Sequence, residues 1–331
     1  MKNNYFIQTY TWNPWHNLAA EKYLADQIGG GDVVLYLWQN DHTVVIGRNQ
    51  NAVRECRAQL LEEEGGFLAR RTTGGGAVYQ DLGNLCFTFI ASPERYDLER
   101  QLGVIRAACR KFGIETRFSG RNDVITEDGF KFSGNAFSKT SRCSIQHGTL
   151  MIDVDISRLG RYLTPSKEKM KAKGVKSVQS RVCNLKELNP AVTPDAMRQA
   201  LKESFFENYG DFTELDPAQL DNPEVQETYA LYSSWEWRYG KSPECESSYA
   251  HRFDWGEVEI WLKLHAMRIS EIKIYSDALD TELPGKLERV LLGKRYDMTD
   301  LELERETAGC EAEQRQKIKE TVDWLSGLWG K

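Results

Sequence analysis

RRTTGGGAVYQDLGN, from Arg70 to Asn84, is the stretch on which the reading of this chain turns. Three successive glycines follow the strand-like FLARR and precede the strand-like LCFTFI (Leu85 to Ile90). Glycines there let the backbone approach a ligand closely and turn its N–H groups toward an anion. Arg70 and Arg71 stand just ahead, and each guanidinium can fork onto a carboxylate or phosphate. The run lacks GK[ST], so it is not a P-loop. It also lacks the G-x-G-x-x-G spacing of a dinucleotide fold. Taken alone, these residues fit equally a glycine-rich hairpin loop with arginines on its surface.

Working outward, Asn122 to Phe137 alternates and turns at Glu127-Asp128-Gly129, which predicts a hairpin. Strict alternation puts Lys131 on one face with Ser133, with Asp123 on the facing arm. A strand lysine between Phe130 and Phe132 is a candidate to meet a phosphate or carboxylate oxygen and to stabilise charge as it develops. Asn122 and Asp123 offer hard oxygen ligands suited to Mg²⁺. In QHGTL (Gln146 to Leu150), His147 could move a proton or position a ligand. The lysine-dense Ser166 to Arg181 reads as a long basic loop, a lid over phosphates or a contact for an acidic partner. Each has a blander reading: a lysine on a solvated face, a structural histidine, a solvated loop.

Elsewhere, Asn17 to Ile28 reads as a helix with a stripe of Leu18, Ala19, Lys22, Tyr23, Ala25 and Asp26, closed by glycines. VVLYLW (Val33 to Trp38) and TVVIG (Thr43 to Gly47) are apolar runs four residues apart and read as a hairpin. Helices are expected over Val53 to Glu64, Leu98 to Phe112, Ser157 to Leu163 with Ser157 as cap, and Asp195 to Tyr209. GTLMIDVD (Gly148 to Asp155) reads as a strand. Ser233 to Ser248 turns to Trp, Gly, Pro and Ser and is taken as a linker. Beyond it lie paired strand-like runs, then helices near Lys286 to Leu292 and Glu311 to Leu328. The expectation is an α+β chain with a mostly antiparallel sheet, divided at 1–245 and 246–331.

Composition narrows the classes. The 331 residues carry 43 Lys+Arg against 49 Asp+Glu, a net −6, which disfavours a nucleic acid as main partner. No apolar run reaches the ~18 residues of a membrane span, and the start carries no signal-peptide pattern. The seven cysteines are widely spaced and form no CxxC pair, as expected of reduced thiols in a cytoplasmic protein. With no exposed apolar heptad evident, a monomer is expected.

Together these motifs resemble the lipoate–protein ligase family of the long, two-domain bacterial type. The resemblance rests on GRNQN (Gly47 to Asn51), RRTTGGGAVYQDLGN, GRND (Gly120 to Asp123), KFSGNAF (Lys131 to Phe137) and HGTL (His147 to Leu150). It continues through KGVKSVQSRVCNL (Lys173 to Leu185), SSWEWRYG (Ser233 to Gly240) and RFDWGEVE (Arg252 to Glu259), so it runs over nearly the whole chain. It implies the biotin/lipoate protein ligase fold, related to class II aminoacyl-tRNA synthetase catalytic domains, with a small C-terminal α+β accessory domain. It implies a reaction in which ATP and lipoate, with Mg²⁺, give lipoyl-AMP and pyrophosphate. The lipoyl group then passes to a lysine of an apo lipoyl domain of a 2-oxoacid dehydrogenase E2 subunit or of glycine-cleavage H protein.

By the same resemblance, Arg71, Gly75, Gly76, Ala77, Val78, Tyr79, Asn84, Asn122 and Asp123 would meet ATP and the adenylate, with Asp123 as the Mg²⁺ contact. Lys131 would touch both the lipoyl carbonyl and the α-phosphate. Trp38, Val45 and Ala77 would line the apolar slot for lipoate, with Arg70, Thr73, Gly75 and His147 along its polar edge. The basic stretch matches the family's adenylate-binding loop. One departure stands out: Gln80 occupies a position that is usually His, and it can bond but cannot titrate near neutrality. The rival readings are an ATP-independent octanoyl or lipoyl transferase working through Cys143, a non-catalytic acyl-adenylate binder, and an RNA-binding protein, in that order.

Overall fold

The computed structural model describes residues 3–119, 122–164, 182–240, 247–296 and 298–329. Its centre is an eight-stranded mixed sheet in the order β11-β1-β2-β6-β10-β9-β8-β7. The strands are β1 (Asn3–Gln8), β2 (Asp32–Trp38), β6 (Asn84–Ala91), β7 (Thr116–Ser119), β8 (Asp123–Thr126), β9 (Lys131–Lys139), β10 (Ser144–Met151) and β11 (Thr213–Glu214). Only β1 pairs in parallel, with β2 and β11; the other pairings are antiparallel, as expected.

VVLYLW is apolar throughout because β2 is central and buried on both faces. Val33, Leu35 and Leu37 join Leu85, Phe87 and Phe89 of β6 in one core, beneath the helices Leu98–Arg110 and Pro194–Tyr209. Val34, Tyr36 and Trp38 face the other way, with Cys86 and Ile90, toward the helices Pro14–Gln27 and Pro223–Ser233. The hairpin expected between VVLYLW and TVVIG does not form. TVVI is β3 (Thr43–Ile46), the middle strand of a separate three-stranded sheet with β4 (Phe67–Arg70) and β5 (Val78–Gln80). Both runs are central strands, and their apolar pattern carries no sign of which neighbour each takes.

Other boundaries shift. The first helix starts at Pro14 and buries Glu21 and Leu24, while Lys22 and Asp26 pair with each other on its outer side. The helix expected over Val53 to Glu64 breaks into Ala52–Glu55 and Ala58–Glu63. Ile156–Tyr162 is capped by Asp155, not Ser157. β10 begins at Ser144 and ends at Met151. The first half of the supposed linker is packed structure: Trp235–Arg238 is helical, and Trp237 stacks on Tyr232 with ring centroids 4.8 Å apart. Residues 241–246, and with them the 245/246 boundary, lie outside the described residues, as do 165–181 of the basic stretch. After them, β12 (Ser247–Phe253), β13 (Gly256–His265) and β14 (Arg268–Ser276) form an antiparallel sheet. With the helices Leu283–Leu291 and Ala312–Trp329 it builds a core of its own around Ile260, Leu287 and Ile318.

Candidate active site

A cavity of about 550 Å³ lies between the large and small sheets, within the range of small-molecule sites. One end is apolar, with Leu18, Trp38, Val45, Val78 and Cys86. Asn122, Asp123 and Lys131 also line the cavity, with Gly75, Gly76 and Ala77 of the glycine loop. Gly75 takes φ +92°, a conformation that costs glycine little and most residues more.

Lys131 shares the cavity with Gly134 and Ala136 rather than with Ser133, which is buried outside it. The cause is a register shift: Ile125 pairs with Lys131 but Val124 with Ser133, so β9 holds one extra residue. That bulge re-aims the side chain. Lys131 Nζ lies 2.6 Å from Asp123 Oδ1, both about one-third exposed.

The two arginines go to different places. Arg70 does not line the cavity. Its Nε donates to the Trp237 carbonyl (2.8 Å), its Nη2 to that of Arg238 (2.7 Å), and its Nη1 to those of Arg48 (3.0 Å) and Gln50 (2.6 Å). Trp237 Nε1 donates back to the Arg70 carbonyl at 2.9 Å. Arg70 is thereby a strut between the small sheet and the SSWEWRYG segment. Arg71 does line the cavity, but it too is engaged. Its Nη2 donates to the carbonyls of Gly74 (2.7 Å) and Gly76 (2.9 Å), which bends the glycine loop around the guanidinium. Burial pushes the pKa of each arginine down to about 10, which leaves both charged at neutrality.

At the apolar end lies a buried relay. The Glu21 carboxylate oxygen Oε2 accepts from Thr88 Oγ1 (2.7 Å) and from His147 Nδ1 (2.8 Å). Trp38 Nε1 donates to Thr88 Oγ1 at 3.0 Å. On its other side His147 Nε2 meets the Thr73 hydroxyl, 2.8 Å away. Thr73 Oγ1 in turn accepts from Arg71 Nε at 3.1 Å. The chain orients the imidazole beside the slot and joins the slot to the glycine loop. Glu21 and Thr88 were not expected. The signal was an acidic residue three positions from Leu18 and four from Ala25, on the buried face of the first helix.

Of the other expected residues, Thr73, Tyr79 and Asn84 do not line the cavity. Thr73 acts through His147. Tyr79 points away from Val78 and Gln80 and stacks on Tyr162, centroids 5.7 Å apart. Asn84 opens β6, its side-chain amide 3.4 Å from Cys86 Sγ. Asn122 is bound to the backbone of Asn135 (2.8 Å), and Gln80 accepts from Asn40 Nδ2 at 2.7 Å. Cys143 is also outside the cavity, next to Thr140, and burial pushes its thiol up.

The C-terminal part completes the cavity with Arg252, Asp277 and Leu279, none of them expected as a site residue, although Arg252 opens the RFDWGEVE motif. The strip 276–281 lies on the glycine loop. Gly75 N donates to the Ala278 carbonyl (3.4 Å), Ser276 N to the Asn49 carbonyl (2.9 Å), and Asn49 Nδ2 to the Thr281 carbonyl (2.7 Å). A Cβ on Gly74 would stand 2.2 Å from the Ala278 oxygen, so this approach requires glycine.

Residues 13–206 match the family described as Lipoyl protein ligase A/B catalytic domain, and residues 242–325 match Bacterial lipoate protein ligase C-terminus. Among solved structures, the chain is similar to Plasmodium falciparum LipL1 in complex with lipoate: 29% identity, TM-score 0.84, covering 98% of this chain and 100% of that one. It is similar to the bipartite lipoate protein ligase of Thermoplasma acidophilum, studied with its E2 lipoyl domain: 27% identity, TM-score 0.65, covering 75% and 100%. It is also similar to a lipoate-protein ligase A bound with ATP: 25% identity, TM-score 0.63, covering 72% and 99%.

Proposed function

The chain belongs to the lipoate–protein ligase family, that of the lipoyl protein ligase A/B catalytic domain, and from that premise we propose that it joins lipoate to a carrier lysine in two ATP-driven steps. In the first, a lipoate carboxylate oxygen attacks the α-phosphorus of ATP, the bond to the β-phosphate oxygen breaks, and pyrophosphate leaves. In the second, the ε-amine of a lysine on an apo lipoyl domain, or on glycine-cleavage H protein, attacks the acyl carbon. The bond to AMP breaks, and the amine gives up its proton.

The observation that carries this reading is one cavity whose wall combines an apolar cluster, a lysine and a glycine loop. The slot suits the alkyl chain and dithiolane of lipoate, whose burial contributes about 0.8 kcal/mol per CH₂. Lys131 would hold the carboxylate and the α-phosphate together and stabilise the charge that builds in each transition state. Arg71 would act chiefly by shaping the loop around the adenylate. His147, oriented by Glu21, would present a fixed edge to the ring end of the substrate. Arg70 would support the loop from outside the cavity.

The Asp123 carboxylate fits a metal brought in with the nucleotide, since Mg²⁺ bound to phosphates takes only one or two protein carboxylates. Among the described residues no group of three or more His, Cys, Asp or Glu could cage an ion by itself. When bound, Mg²⁺ would neutralise phosphate charge.

The test is lipoate-dependent ATP–pyrophosphate exchange. Exchange is expected in the wild type and in Cys143→Ala, and its loss in Lys131→Ala. Acyl transfer without ATP that depends on Cys143 would replace the ligase with a transferase.

A further inference from the structure

We propose that Arg252, reaching the cavity from the C-terminal part of the chain, binds the β- and γ-phosphates of the nucleotide in the first half-reaction. This rests on the ligase reading above.

The triphosphate brings up to four negative charges, and the first step releases more charge onto the departing pyrophosphate. Three permanent cations line the cavity among the described residues: Arg71, Lys131 and Arg252. Arg71 has its Nη2 and Nε spent on the loop carbonyls and Thr73. Lys131 stands against Asp123 and is the group for the reacting α-phosphate. Arg252 differs from both. Among the described residues its guanidinium meets Glu257 Oε2 at 3.5 Å and Asp277 Oδ2 at 3.3 Å, both through Nη1. Strong charge-assisted bonds run nearer 2.7–2.9 Å, so these carboxylates aim the side chain without locking it. Nε and Nη2 keep donors in the fork geometry that matches two phosphate oxygens.

Its position assigns it the leaving end of the nucleotide. Arg252 enters the cavity beside Asp277, from the C-terminal part that also supplies Leu279, whereas Lys131 enters from β9 of the large sheet. The neighbouring Ala278 carbonyl docks on Gly75, so this part is registered on the loop expected to hold the adenylate. A contact to the β- and γ-phosphates exists only before pyrophosphate leaves. Arg252 would therefore serve adenylation and not acyl transfer.

The full chain carrying Arg252→Ala or Arg252→Lys would be assayed in both half-reactions. In lipoate-dependent ATP–pyrophosphate exchange, Arg252→Ala should raise the KM for ATP about ten- to hundred-fold, the loss of one or two charged hydrogen bonds. Arg252→Lys should recover part of it. Transfer from preformed lipoyl-AMP to an apo lipoyl domain should run at the wild-type rate in both variants. An unchanged KM for ATP, or parallel loss of both half-reactions, would overturn the assignment. A wild type with no exchange at all would remove the ligase reading and this proposal with it.

Discussion

Arg70 and Arg71 are adjacent and look alike in sequence, yet one braces carbonyls of a distant segment and the other curls the glycine loop. Sequence marks both as anion binders, because a guanidinium near glycines suits phosphate as well as carbonyl oxygen; only the acceptors found in three dimensions separate the roles. The carboxylate of Glu21 is a sharper case. It is buried and holds both Thr88 and His147 through one oxygen. Glu21→Ala should leave the Thr88 hydroxyl and the His147 Nδ1–H without their acceptor. Each stranded group costs about 1–3 kcal/mol, so a clear drop in the urea midpoint is expected. The same variant should lose kcat/KM for lipoate, because the relay orients His147 beside the apolar slot. A wild-type urea midpoint for Glu21→Ala would show that the relay holds nothing together.

At the scale of elements, most strands and helices were legible from periodicity, and the hairpin at Gly129 was placed as found. Pairing was not. β2 and β3 are short apolar runs near each other in sequence, but each is sheathed on both sides by strands from elsewhere. The extra residue in β9 was equally hidden: alternation predicted Ser133 beside Lys131, and one inserted residue reverses the faces beyond it. Another element-scale tie joins the helix Ile156–Tyr162, whose Leu159 and Gly160 line the cavity together with the following Leu163, to the end of the helix Ala58–Glu63. Glu64 accepts from Arg161 and from Tyr162, and Tyr162 also meets His42 Nε2 at 2.9 Å. These bonds, Arg161 first, hold the Glu64 carboxyl at about 2, below its ordinary 4.5. A carboxyl depressed on folding adds stability above its unfolded pKa and loses it as pH falls through the folded one. The urea midpoint of Glu64→Gln should therefore lie below that of wild type at pH 7, and the gap should close between about pH 4.5 and 2. A gap constant across that range would contradict the tie.

On the scale of the whole molecule, the C-terminal part is joined to the rest through the cavity itself. Ala278 lies against Gly74 and Gly75, Ser276 and Thr281 bond Asn49, and Arg54 pairs with Glu259. The sequence announced a second core but not this seam, because its bonds are largely backbone bonds with no residue signature. Gly74→Ala should force the seam apart, seen as faster hydrogen exchange at 276–281 with the remainder of the chain little changed. Unaltered exchange there would mean that the approach to Ala278 yields freely. The described helices include none long and apolar enough to cross a membrane.

Acyl-adenylate formation beside Lys131 is the central proposal. The most direct test is to incubate the purified full chain with ATP, Mg²⁺ and lipoate, without an acceptor protein, and to identify the bound product by mass spectrometry. Lipoyl-AMP should accumulate on the wild type and be absent from Lys131→Ala. Lipoate recovered unchanged from the wild type, or lipoyl-AMP formed equally well by Lys131→Ala, would contradict the assignment.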